Sequence, residues 1–283
     1  MNAPDDRPLA ARLHHIALGS PDPGALAAFH ERVMGLKLRR TDRGILGETA
    51  ERHIYFLPGG RKTLAFAGFA VDNESGLASL KARLERASWP HDVRENGTEL
   101  FGPGVISLDD PDGNRLLFGL ARASEQPLDA GLAGRLQHVV VASRNAARLS
   151  AFFQSLLGFK LSDNVVDASA SLTTAFLRCS EEHHSFAVFQ ASSDHFDHHC
   201  YEVGDWGLIR DWGDHFAKHH VKVEWGPGRH GPGNNLFLFI HDLDGNWLEI
   251  SAEMEIVGPD RPVGEWPHEQ RTLNSWGTAP LRT

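Results

Sequence analysis

The apolar and polar positions of this chain fall into a pattern that occurs twice. RLHHIAL begins at Arg12 and RLQHVVV at Arg135, an offset of 123 that also aligns Ala28 and Phe29 with Ala151 and Phe152, and Gly35 with Gly158. Each copy opens with alternating apolar residues, the period expected of a strand. Each then takes a helical period. Asp22 followed by Pro23 reads as an N-cap and first helical residue, and Ser143 or Asn145 plays the capping part in the second copy. Gly35 and Gly158 stand where a helix would end on a left-handed residue. Short β-rich runs follow, HIYFLPG near His53 and HSFAVFQ from His184, and then a second amphipathic stretch, GLASLKARLERA or GLIRDWGDHFAKHH. The copies close on LDDPDGNRLLFG and IHDLDGNWLEIS, where Asp-Gly-Asn signals a tight turn between two strands.

The expected fold class is therefore α+β: two tandem modules of paired βαβββ units, each sheet curled around a hollow. The pattern divides the chain into a first module over 9–120, a linker over 121–133, a second module over 134–255 and a tail over 256–283. The tail is rich in Pro, Gly and Trp without periodicity, which leaves it either disordered or a flap over the second module.

Composition narrows the function. A formal net charge of -9 with no basic stripe argues against nucleic acid, which is bound through phosphate neutralisation. No run of 18 apolar residues suggests a membrane span, and MNAPDDRPLA lacks the layout of a signal peptide. Two cysteines, Cys179 and Cys200, are too few for a disulfide framework and point to a reducing, cytoplasmic setting. Of 17 histidines, 11 lie from His183 onward, and histidine is the commonest metal ligand.

The second module places His138 in its opening strand, His199 in the strand-like run HHCYEV and Glu249 in the closing strand NWLEIS. A carboxylate between Leu248 and Ile250 points opposite to its neighbours, into the hollow of a curved sheet. There it needs a proton, a cation or a metal. Two imidazoles and one carboxylate form the facial set of non-heme Fe(II) oxygenases. Spacing alone also allows a strand histidine bonded to a neighbour and an edge-facing glutamate. His183 and His198 each precede a proposed functional histidine, so alternation places both on the opposite face, with His198 kept as a substrate contact at the site's mouth. His215, His219 and His220 read as a solvated helix face, and Trp206, Trp212, Trp225 and Trp247 as core.

The repeat, the LHHIAL and LQHVVV openings and the GNWLEIS ending resemble the vicinal oxygen chelate superfamily. The second module resembles the type I extradiol ring-cleavage dioxygenases, with HHSFAVF, DHHCYEV, GPGRHGPGNN and HDLDGNWLE in the family's order over a resemblance running from Leu9 to Glu255. The resemblance implies a cytoplasmic, homo-oligomeric enzyme that cleaves a catechol-like ring with O2. It implies a mononuclear Fe(II), with Mn(II) as the alternative ion, held by His138, His199 and Glu249. It makes His184 an acid–base group beside the O2 position and His230 the partner of a substrate hydroxyl. One position departs from the family: a tyrosine usually stands nine residues after the GRHG histidine, and here that residue is Phe239. Tyr201 and His241 are the neighbours able to take over its part, and both join His198, His230 and Phe239 as expected substrate contacts. The first module keeps His15 opposite His138 but carries Ala67 and Leu117 opposite His199 and Glu249, and is expected to be metal-free. Two other functions stay open: a divalent-metal isomerase or lyase of the same superfamily, and a binding protein that sequesters an aromatic compound.

Overall fold

The computed structural model describes residues 9–123, 131–258 and 260–281. The first module runs β1 (Ala11–Ser20), α1 (Pro23–Met34), β2 (Lys37–Thr41), β3 (Gly44–Glu48) and β4 (His53–Pro58). It continues with β5 (Thr63–Val71), α2 (Glu74–Arg86), β6 (Asp92–Arg94), β7 (Val105–Asp109) and β8 (Arg115–Gly119). The second repeats the order with β9 (Arg135–Ser143), α3 (Ala146–Phe152), β10 (Lys160–Val166), β11 (Leu172–Arg178) and β12 (Phe186–Gln190). Its second unit is β13 (His195–Glu202), α4 (Trp206–Lys218), β14 (Trp225–Arg229), β15 (Leu236–His241) and β16 (Trp247–Ala252). This is a paired βαβββ unit, twice, and the fold is α+β as the repeat predicts.

The local signals act as their chemistry requires. Asp22 caps α1 by accepting from the amide of Ala25, and Asn145, rather than Ser143, caps α3 by accepting from Arg148. Gly35 and Gly158 both close their helices in the left-handed region, at φ 68° and 80°, where a side chain would be strained. In the closing turn of the second module, one oxygen of Asp242 accepts from the amides of Asp244 and Asn246. The equivalent oxygen of Asp110 serves Asp112 and Asn114.

Within the second sheet the strand order is β14-β15-β16-β13-β9-β12-β11-β10, and the first sheet follows the same order with β6 to β3 and β2 at its ends. The tail adds β17 (Gly264–Pro267) parallel to the edge strand β10, and a short helix, α5 (Gln270–Leu273), follows. Beyond it the amide of Gly231 reaches the carbonyl of Thr272 at 2.9 Å and that of Ser275 reaches Arg229 at 2.8 Å. The tail therefore ties the β10 edge to the β14 edge and crosses the mouth of the curved sheet. One apolar core runs through both modules, from Leu13 and Phe69 to Val139, Phe186 and Ile250. The linker expected over 121–133 falls partly on residues 124–130, outside the described residues.

Candidate metal centre

Strand register assembles the site. His138 on β9 stands opposite Cys200 on β13, Cys200 pairs with Glu249 on β16, and Glu249 pairs with Phe239 on β15. Residues paired across strands share a face, so this row looks into one hollow. His198, two residues before Cys200, shares that face. His199 does not. The one-residue difference inverts the side of the sheet, and the register to β9 and β16 decides which of the two adjacent histidines enters the site.

The structure therefore corrects the ligand set expected from sequence. His138, His198 and Glu249 are all buried, and their ligand atoms lie within 4.8 Å of one another. Nε2 of His138 is 3.1 Å and Nε2 of His198 is 3.3 Å from Oε2 of Glu249. His199 lies on the opposite face, packed between modules with its ring 6.3 Å from that of His30 and 5.4 Å from that of Tyr201. Neither of its ring nitrogens has a hydrogen-bond partner. Burial, reinforced by His30, pushes its pKa down to about 3. Tyr201 shares the His199 face and lies in the core, not the pocket. His241 packs against Trp247 at 4.1 Å and does not line the pocket either. Neither expected substitute for the missing tyrosine is in place.

A second layer fixes each member. Nδ1 of His138 meets Oε1 of Gln137 at 2.5 Å, and Gln137 is anchored by its amide nitrogen on the carbonyl of His184 at 2.7 Å. With Nδ1 donating to that oxygen, Nε2 would offer its lone pair to a metal in place of its hydrogen bond to Glu249. His198 is held in the same way by Asp197, whose Oδ1 is 2.5 Å from its Nδ1. Glu249 accepts a longer bond from Asn235, which also donates to Ser251. For Glu249, burial works to raise the pKa. Hydrogen bonds from His138, His198 and His230 outweigh it and hold the carboxyl well below the usual range. His138 is lowered by burial, against the pull of Glu249. His198 is raised, because Asp197 and Glu249 overcome its burial.

Two more histidines face the same space. The ring of His184 is 4.4 Å from that of His138, and burial with the neighbouring His138 and His183 holds its pKa well below the ordinary value. Its Nδ1 is 3.0 Å from Nδ1 of His183, whose Nε2 is 3.1 Å from the buried carboxylate of Asp163. His183 is thus outside the pocket but behind His184. His230 places Nε2 3.5 Å from Oε1 of Glu249, and its Nδ1 is 2.5 Å from the carbonyl of Leu273 in the tail. The pocket around these groups is walled by Val165, Phe176, Phe189, Trp225 and Phe239, and by His268, Leu273 and Leu281 of the tail. Trp225, expected in the core, stacks on Phe239 at 5.1 Å. His215, read as solvated, bonds the carbonyl of Val33 in the first module.

The first module shows the same scaffold without the chemistry. His15 pairs with Gly68 as His138 does with Cys200, so the counterpart of His198 is Phe66 and that of Glu249 is Leu117. Phe66 and Leu117 pack with Tyr55, Leu100 and Phe101 into an apolar cluster. This hollow is filled with side chains that offer no donor set.

Two imidazoles and one carboxylate at the base of one hollow in a double module form a group that could hold a metal ion. The Glyoxalase/Bleomycin resistance protein/Dioxygenase superfamily profile matches residues 135–250. The chain is 33% identical to 3-methylcatechol 2,3-dioxygenase of Pseudomonas putida over 72% of its own length and 77% of that protein's. It is 27% identical to metapyrocatechase 2 of Cupriavidus necator, over 97% of this chain and 92% of that protein. The anaerobic substrate complex of homoprotocatechuate 2,3-dioxygenase from Brevibacterium fuscum with 3,4-dihydroxyphenylacetate superposes with a TM-score of 0.84. That match is at 20% identity and covers 99% of this chain and 93% of the other. The chain belongs to this superfamily, within its extradiol ring-cleaving dioxygenases. No helix among the described residues is long and apolar enough to cross a membrane.

Proposed function

We propose that His138, His198 and Glu249 hold Fe(II), and that the protein cleaves a catechol ring beside its diol with O2. The observation that carries this reading is the buried set of two imidazoles and one carboxylate at the floor of an aromatic-walled pocket that two further histidines enter. The donor set fits a divalent ion: Glu249 is ionised and buried with no lysine or arginine among the residues lining its pocket. Mn(II) suits the same donors. When bound, the ion supplies Lewis acidity toward the diol and a redox centre common to diol and O2.

The chain's own groups do the rest. Nδ1 of His230 is engaged by the carbonyl of Leu273, so Nε2 is the ring nitrogen left to face the cavity and meet a substrate hydroxyl. His184, kept neutral by burial and engaged through Nδ1, carries protons at Nε2. Phe239 has no hydroxyl to share in this, so the proton work rests on His184 and His230. The apolar wall and the tail exclude water from the reacting groups. Both cysteines are free and buried, which suits a reducing, cytoplasmic setting.

Oxygen uptake by Fe(II)-loaded protein given catechol and 3-methylcatechol tests this. One O2 consumed per diol, with a yellow ring-opened product, is the expected result. Protein that retains one metal per chain and consumes no O2 with any diol refutes it.

A further inference from the structure

We propose that the pocket selects catechols whose ring substituent is uncharged and apolar, and discriminates against carboxylated ones. The inference rests on the ring-cleavage reading and narrows its substrate class. The wall available to a substituent is built from Val140, Val165, Phe176, Phe189, Leu273 and Leu281. Val165 is 2% exposed and Phe176 9%, so these side chains are already withdrawn from water. Among the described residues lining the pocket there is no lysine and no arginine, and the acidic ones are Glu249 and Glu269. Of the nearby arginines, Arg229 is committed to Glu253 and Arg261 to Asp163 and Glu255, while Arg271, between Glu269 and Thr272, is exposed and does not line the pocket.

Charge bookkeeping points the same way. A divalent ion is offset by Glu249 and by a singly deprotonated diol, which leaves no positive charge for a second anion. A substituent carboxylate would meet no lysine or arginine among the described lining residues, and His268 in that wall is already engaged through Nδ1 by Thr173. Burying a carboxylate without a cationic partner is strongly unfavourable. A methyl, larger alkyl or phenyl group gains from the same wall by leaving water. The shared fold with an enzyme crystallised with 3,4-dihydroxyphenylacetate therefore does not extend to that substituent.

The test compares matched pairs at each ring position. 4-Propylcatechol is set against 3,4-dihydroxyphenylacetate, and 3-methylcatechol against 2,3-dihydroxybenzoate. Dissociation constants come from anaerobic calorimetry on the metal-loaded full chain, and O2 uptake is measured alongside. The alkyl member of each pair should bind at least about 100-fold more tightly. Leu281→Arg, at a rim position 40% exposed, should narrow the gap by strengthening binding of 3,4-dihydroxyphenylacetate about tenfold. Arg282, which follows Leu281 and lies outside the described residues, is tested by Arg282→Gln, and the ratio should not change. Carboxylated catechols that bind within about threefold of their partners, or that lose affinity only in Arg282→Gln, overturn the selectivity while leaving ring cleavage intact. Metal-loaded protein that neither binds nor oxidises any of the four diols brings down both readings.

Discussion

Asp163 couples the tail to His183 and, behind it, His184, and replacing it with alanine should open the site without unfolding the module. Its side chain on β10 is fully buried. It accepts hydrogen bonds from the amide of Gly264 at 3.0 Å and Nε1 of Trp266 at 2.7 Å, and from Nη1 of Arg261. These donors belong to the tail and His183 to the core, so the carboxylate is the junction between them. Each charge-assisted bond contributes about 1.5–3 kcal/mol, and removing one partner of a buried pair costs about 3–5 kcal/mol. Arg261 is 24% exposed and can recover water, which places the loss near the lower end, about 3 kcal/mol. At 1.4 kcal/mol per tenfold, that raises the population with the tail open by about 100-fold. Hydrogen exchange read by mass spectrometry should show lost protection in segment 261–275, with the strands of the second sheet little changed. Because Leu273 holds His230 and His183 stands between Asp163 and His184, kcat should fall as well as KM rise. Uniform loss of protection over the second module, or a released tail with unchanged kcat and KM, would refute the reasoning.

His183→Leu should keep one metal per chain and lower kcat by about tenfold or more, with partial recovery in His183→Gln, whose amide oxygen can still accept from His184 Nδ1; unchanged turnover in His183→Leu removes that support for His184. Gln137→Leu should weaken metal binding by about 10–100-fold, as loss of such an outer partner does, checked by competition with a chelating dye. Metal binding should also weaken as pH falls. His198 holds its proton to a pH above the ordinary value of about 6.5, because Asp197 and Glu249 outweigh its burial, and a metal must displace that proton. Calorimetry in buffers of different ionisation enthalpy should show proton release on binding just above that value, and affinity independent of pH across it would count against the ligand.

Much of this was legible in the residues because it is local or periodic. The 123-residue repeat, the caps at Asp22 and Asn145, the left-handed glycines and the two Asp-Gly-Asn turns each depend on a few neighbouring positions. His138 and Glu249 could be read because neither has a second candidate ligand beside it on its strand. The choice between His198 and His199 could not, since it depends on register to β9 and β16 and on an irregularity between Phe196 and His198. Without that register, two adjacent histidines on a strand are equivalent. In the first module Leu117 does stand opposite Glu249 as read from the closing turn, but the other counterpart is Phe66 rather than Ala67, for the same one-residue reason. The tail had no period to read. Its placement rests on a buried aspartate 98 residues from its arginine, a pairing that only the folded chain brings together.

Metal content measured side by side in the wild type, His198→Ala and His199→Leu bears most directly on the account. Both ring nitrogens of His199 lack a partner, so a buried leucine should replace it at little cost in stability. His199→Leu should retain one iron per chain and consume O2 with 3-methylcatechol, whereas His198→Ala should lose both. Iron retained in His198→Ala and lost in folded His199→Leu would contradict it.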